Sequence, residues 1–244
     1  MNDVIALLKA HRSIRKFTAE PLADEQVEQI VLCGQAAATS SNIQATTVIR
    51  VRDAAKRQRL AELAGGQSYV AEAGAFLVFC ADLHRVKTAC EREGGEYHDG
   101  MTEQFIVATV DVALAAQNCA VAAESLGLGI CYIGGIRNHP QEVADLLDLP
   151  EMVYPVFGMC LGHPDQDPEV KPRLPLSVVL MEDRYQDPAV QEGIERYDRQ
   201  LRAYYQHRTS GQKNSSWSEE MKALAGKSRP HMREFLARRG FTMK

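Results

Sequence analysis

Between residues 101 and 126 the chain carries its longest helical signal, with apolar residues covering nearly every face of FIVATVDVALAAQNCAVAAESL. A helix of that kind has to be covered by something, and its many alanines permit a neighbouring helix to come close. Asp111, Gln117 and Glu124 interrupt the pattern. The residues leave two readings open: the central helix of the core, or half of a dimer interface.

The flanking segments suggest what such a helix packs on. AFLVFCA over 75–81 is a short continuous apolar run, as expected of a central strand buried on both faces. β-Branched residues over 46–51 and the apolar runs at 130–133 and 154–161 give further strands. Helices are expected from Asp3, with Val4, Ile5, Leu7 and Leu8 on a buried face, and from Asp24 to about residue 38. Others are expected over 53–64, stopped by Gly65-Gly66, over 141–147 behind Pro140, and over 190–207. Residues 84–100 read as a mobile excursion, 177–185 as a last strand or arm, and 209–216 as a flexible joint. Two short basic helices split by Pro230 end the chain, and no internal repeat is visible.

At 244 residues there is room for one large domain with an appendage. We expect a core over 1–190 and a helical extension over 191–244, with a mobile basic segment at 208–216. The net charge of −4 conceals a split: the stretch from 196 to 244 holds twelve Lys and Arg against four Asp and Glu. That tail is either a basic arm for an anionic ligand or a basic surface helix, and the acidic remainder argues against a nucleic-acid binder. The N-terminus lacks the order of a signal peptide and no apolar run approaches the ~18 residues of a membrane span, so a cytoplasmic protein is expected. Six scattered cysteines without a CxxC pair read as reduced thiols, and no histidine spacing suggests a metal site.

Three separated stretches share one chemistry. HRSIRKF over 11–17 supplies cations, a hydroxyl and backbone amides suited to an oxyanion, although a basic run of this kind can also be a solvated face. In 167–175, prolines flank Lys171 and Arg173 and fix where those charges point, unless the stretch is only a connector. The hydroxyl and amide side chains of 39–44 suit a polyol or a carbonyl edge, or plain turn chemistry. Gln67 is either a cap or a ligand contact. GLGICYIGG over 127–135 lacks the dinucleotide-fingerprint spacing and follows a helix, so a Rossmann reading is rejected. Gly134 and Gly135 still let a backbone approach a flat ligand. One phosphate, one polyol and one planar ring together describe flavin mononucleotide (FMN).

HRSIRKF, TSSN near 40, GGQ at 65–67, YIGG with Arg137 and Asn138, FGMCLGHP at 157–164, KPRLP at 171–175 and SRP at 228–230 also occur in this order in a known family. Over its whole length the chain resembles the FMN-dependent nitroreductases, specifically the oxygen-insensitive NADPH nitroreductases of the major type and flavin reductase P. The resemblance implies an α+β fold with a central, mainly antiparallel sheet flanked by helices, in an intertwined homodimer with an FMN site at each interface. It implies that His11, Arg12 and Ser13 with Lys171 and Arg173 hold the FMN phosphate. Arg15 would lie near the ring, Ser40 and Ser41 near the ribityl chain, and Gln67 at the pyrimidine edge. Tyr132, Ile133, Gly134 and Gly135 would line the ring, one glycine offering its amide to N5. Arg208, helped by Lys213 and Arg229, would bind the NADPH 2′-phosphate, and Ser41, Asn42 and Ile43 would meet the acceptor. Asn42 stands where such relatives often carry an aromatic residue. The activity implied is two-electron, ping-pong reduction of nitroaromatics, quinones or free flavin by NADPH, or a dedicated FMN reductase serving an oxygenase.

Overall fold

The computed structural model describes residues 2–244. Its sheet consists of β1 (Thr46–Arg50), β2 (Ala75–Asp82), β3 (Gly129–Ile133) and β4 (Val153–Gly162), in the order β1-β2-β4-β3, with every neighbouring pair antiparallel. All residues of β2 are buried, which is why both of its faces had to be apolar. Val78 stands opposite Ile49 on one side and Gly158 on the other.

The long apolar run is α6 (Thr102–Ser125), which touches all four strands, and α2 (Asp24–Gln35) lies along it. Its buried residues, Ala108, Asp111, Val112, Ala115, Ala116, Cys119, Ala120 and Ala123, recur every three or four positions and so form one face. The opposite face is apolar too: Ile106, Val110 and Leu114 are 47%, 49% and 42% exposed. By length and composition α6 could cross a membrane, with a mean hydropathy of 1.7. That corrects the expectation that no apolar run reaches such a length. Here the helix is packed against the sheet and carries a hydrogen-bonded carboxylate on its inner face.

The remaining helices are α1 (Asp3–Lys9), α3 (Ala54–Leu63), α4 (Tyr69–Glu72), α5 (His84–Arg92), α7 (Pro140–Leu146), α8 (Leu176–Val179), α9 (Asp187–Arg208), α10 (Trp217–Ala225) and α11 (His231–Arg238). Two compact units result, Met1–Asp167 with Arg229–Lys244, and Pro168–Ser228. In the second, α8 and α10 pack on α9, and Tyr197, Leu201 and Tyr205 form a small core with Leu174, Tyr204 and Trp217 beside it.

Three expectations are corrected. No residue of α1 is buried: Val4, Ile5 and Leu8 face outward. The stretch 84–100 is not a structureless excursion, because buried Asp82 accepts from the Arg85 amide at 3.2 Å and starts α5. Residues 177–185 form no strand. Their apolar side chains Val179, Leu180 and Tyr185 are exposed, and the backbone makes one short turn of helix instead.

Helix α2 seats on α6 through Gly34, where an added Cβ would meet the Cys119 sulfur and the Ala115 carbonyl oxygen. Gly34→Ala is therefore expected to destabilise by about 1–3 kcal/mol through overpacking. A second change, Cys119→Ala, should recover part of the loss, as read from urea midpoints of the single and double variants.

Candidate functional site

Beyond α1 the chain is extended, and the Ile14 amide donates to the Ile130 carbonyl of β3 at 2.8 Å. The Thr18 amide donates to His163 at 2.9 Å, and Phe17 bridges to Pro164. Buried Ile14 anchors the stretch while Arg15, next to it, is exposed. His11 Nδ1 lies 2.6 Å from Glu124 Oε1, near the end of α6. Arg12 donates through Nη2 to Asp167 at 2.6 Å and through Nη1 to the Ala10 carbonyl at 3.1 Å. Its Nε is buried without a hydrogen-bond partner. A buried donor left open beside a serine and a second arginine is suited to an incoming oxyanion.

Gln67 follows α3 through Gly65 and Gly66, whose φ values of +93° and +75° favour glycine. Both alternatives for its side chain involve a fixed amide: Nε2 donates to Ala64 O at 2.6 Å and Oε1 accepts from the Tyr69 hydroxyl. Burial pushes the Tyr69 phenol up, while nearby Arg15 opposes that shift. The 3-10 turn Gly134–Asn138 follows β3 directly, and a Cβ at Gly135 would collide with the Ala64 carbonyl and the Gln67 amide. Gly135 is thus demanded by the protein's own packing, and it brings the 134–135 turn beside Gln67. Tyr132 is half-buried, edge-on to Phe157 at 5.1 Å between ring centroids, with its hydroxyl 3.4 Å from Gln117. Ile133 is fully buried.

The polar loop lies elsewhere. Ser40–Asn42 is a 3-10 turn whose Ser40, Ser41 and Asn42 are exposed, with Ile43 half-buried behind them. It is bonded to α6 at Asp111, whereas His11 is bonded at Glu124. Those points lie thirteen residues apart, about 20 Å along the helix at 1.5 Å per residue. Arg15, Gln67 and the glycine turn come together within one chain, and the 39–44 loop hangs from a different part of the same helix.

In the second unit, Lys171 sits 5.1 Å over the Tyr205 ring and 3.9 Å from Glu220, and Arg173 donates to the Lys171 carbonyl at 2.6 Å. Arg208 donates to the Tyr204 hydroxyl at 2.9 Å. Lys213 lies 3.6 Å over the Tyr205 ring and bonds Glu220, which holds its ammonium above the usual lysine range. Arg229 belongs to the first unit, where Nε and Nη2 both donate to Asn138 Oδ1 at 2.9 and 2.8 Å.

Tyr69, Asp167 and the pairing of Glu124 with His11 were not read from the sequence. For Glu124 a signal existed, an acid on an otherwise apolar helix; Asp167 and Tyr69 carry none. Burial pushes the Cys80 and Cys119 thiols up to about 12 and raises Cys131 and Cys160, so these four stay protonated and pack as small apolar side chains.

Comparison with known proteins matches residues 8–163 to the nitroreductase family and residues 171–244 to the nitroreductase family C-terminal domain. The NADPH-flavin oxidoreductase of Vibrio harveyi is 49% identical over 245 residues, covering 100% of both chains. The oxygen-insensitive NADPH nitroreductase of Salmonella typhimurium is 43% identical, again over 100% of both. The solved structure of the NADPH:FMN oxidoreductase from Vibrio harveyi complexed with NAD+ superposes with a TM-score of 0.88 at 45% identity, covering 100% of each chain. An antiparallel sheet spanned by a two-sided apolar helix, an extended cationic segment on its edge strand and full-length likeness to these enzymes agree: the chain belongs to the nitroreductase family.

Proposed function

We propose that this chain is an FMN-dependent oxidoreductase that uses NADPH to reduce nitroaromatics, quinones or free flavin, donor and acceptor taking turns in one slot. The observation that carries the reading is the extended 11–15 segment on β3, with Gln67 and the glycine turn at hand and a buried Arg12 Nε open to an oxyanion. Those donors fit FMN. When bound, FMN supplies the ring that accepts hydride and passes electrons on in pairs; the chain supplies grip, orientation and charge.

His11, Arg12 and Ser13 hold the phosphate, joined by Lys171 and Arg173. Arg15 puts a fixed cation near the pyrimidine side, where it favours added negative charge. Gln67 addresses the pyrimidine edge with an amide already oriented by Ala64 and Tyr69. Tyr132, Ile133, Gly134 and Gly135 line the ring, one glycine amide facing N5. Arg208 recognises the 2′-phosphate of NADPH, with Lys213 and Arg229 as helpers. Mostly buried thiols suit a cytoplasmic protein kept reduced.

The working unit is a homodimer. Ile106, Val110 and Leu114 on α6, with Val4, Ile5 and Leu8 on α1, are exposed apolar side chains of the kind that a partner surface covers. In such a homodimer the flavin site lies at the interface between the two copies. Ser40 and Ser41 of one copy would then reach the flavin held by its partner, with Ser41, Asn42 and Ile43 meeting the acceptor.

A dedicated NADPH:FMN reductase supplying an oxygenase is the second reading, favoured by the higher identity to a flavin oxidoreductase than to a nitroreductase, 49% against 43%. Steady-state NADPH oxidation with nitrofurazone, benzoquinone and free FMN as acceptors separates the two. Broad turnover supports the first and turnover confined to FMN the second, while no oxidation with any acceptor defeats both. Arg208→Ala should raise the Michaelis constant for NADPH about 10- to 100-fold, the loss of one charge-assisted bond, and leave that for NADH nearly unchanged. Val110→Glu with Leu114→Glu should sediment as a monomer and lose FMN on gel filtration.

A further inference from the structure

Asp111 is the one carboxylate on the buried face of α6, and it is 4% exposed. A carboxylate so placed has to be met by donors. All of its donors come from a single loop, and all are neutral. The Thr39 hydroxyl donates to Oδ2 at 2.5 Å, the Ala45 amide donates to Oδ2 at 3.0 Å and the Ser40 amide donates to Oδ1 at 3.2 Å. The Thr39 hydroxyl in turn accepts from the Gln44 amide at 2.8 Å. One side chain therefore ties the entry of the loop, 39–40, to its exit, 44–45.

Between those ties the backbone is held where non-glycine residues resist going. Ser41, Asn42 and Gln44 have φ values of 48°, 56° and 55°. Left free, the segment would relax toward ordinary turns, and the side chains of Ser40, Ser41 and Asn42 would point elsewhere. Charge-assisted bonds to buried amides are strong enough to keep it from doing so.

We propose that Asp111 is a positioning residue: without touching any ligand, it sets the backbone shape in which Ser40 and Ser41 meet the flavin and Ser41 and Asn42 meet the acceptor. This rests on the function proposed for that loop. Asp111→Asn keeps the volume but sets an N–H group against donors, so part of the clamp is lost.

The experiment compares wild type, Asp111→Asn, Thr39→Val, Thr39→Ser and the Asp111→Asn/Thr39→Val double variant, each as the FMN-saturated protein. Amide hydrogen exchange at Ser40 and Ala45 should quicken by about 10-fold or more in Asp111→Asn, while β2 amides keep their protection. The FMN dissociation constant and the Michaelis constant for benzoquinone should each rise about 10-fold, and single-turnover reduction at saturating NADPH should stay within about twofold of wild type. Thr39→Val should follow Asp111→Asn, Thr39→Ser should match wild type, and the double variant should be no worse than Asp111→Asn alone, as expected of one unit.

Unchanged exchange at Ser40 and Ala45 overturns the proposal. So does faster exchange with unaltered FMN affinity and quinone Michaelis constant, which would make the clamp purely structural. Should Asp111→Asn fail to fold, Thr39→Val carries the same measurements, and its failure to move the quinone Michaelis constant overturns the idea equally. A wild-type protein that binds no FMN defeats the functional reading instead, and the exchange arm still reads the clamp.

Discussion

The seating of one alanine-lined face of α6 on the sheet is the contact from which the rest of the first unit takes its position. Alanine buries little surface per residue, so that face gains less from transfer out of water than a leucine face would. What it gains is proximity, because backbones can approach and dispersion contacts accumulate at crystal-like density. Gly34 of α2 uses the same closeness on the same face. A helix held this firmly is a good ruler, and two polar stretches are fastened to it at different points, the 39–45 loop at Asp111 and His11 at Glu124.

Two kinds of arginine in the first unit bear on the site, beside those paired with surface carboxylates. Arg57 donates to the carbonyls of Val70 and Ala73, Arg137 to that of Val156, and Arg239 to those of Leu149, Pro150 and Val153. Burial lowers all three from the usual arginine range, yet a guanidinium stays charged, so these are cations turned inward onto backbone carbonyls. Arg12 and Arg15 differ: one keeps a buried N–H with no partner, and the other is exposed beside Tyr69. Charge alone does not separate the two kinds; what each guanidinium faces does.

Local patterns in the chain foretold the elements that local physics decides. The apolar run of β2, the helix over 102–125 and the glycine stops at 65–66 and 127 each carry their cause within a few residues. The misses have long-range causes. Helix α5 starts because Asp82 at the end of β2 supplies a buried acceptor, and 177–185 forms no strand because its first residues close a helical turn instead. The outward face of α1 has the same origin, since an apolar pattern states that a face wants cover without saying that this chain provides it. At the site, the motif residues were legible as chemistry, but Asp167 meets Arg12 across 155 positions, and no spacing rule reaches that far.

The two acids beside the cationic segment differ in how firmly they hold it, and this decides what an incoming phosphate would displace. Asp167 has a side chain 84% exposed, so its bond to Arg12 is of the surface kind, worth about 0.2–1 kcal/mol. Glu124 is 13% exposed, and separating it from His11 would leave a poorly solvated carboxylate, so that pair resists opening. A hydrogen bond between a guanidinium and phosphate contributes about 1.5–3 kcal/mol, enough to outcompete the first acid but not to uncover the second. The proposed flavin phosphate would therefore take Arg12 from Asp167 and satisfy the open Nε at the same time, while Glu124 keeps His11 turned with its other nitrogen free. An acidic body of net −12 against a tail of +8 is compatible with an anionic ligand on these terms. Within a Debye length of about 8–10 Å, the nearest charges and their exposure govern binding, and the remote acids are screened.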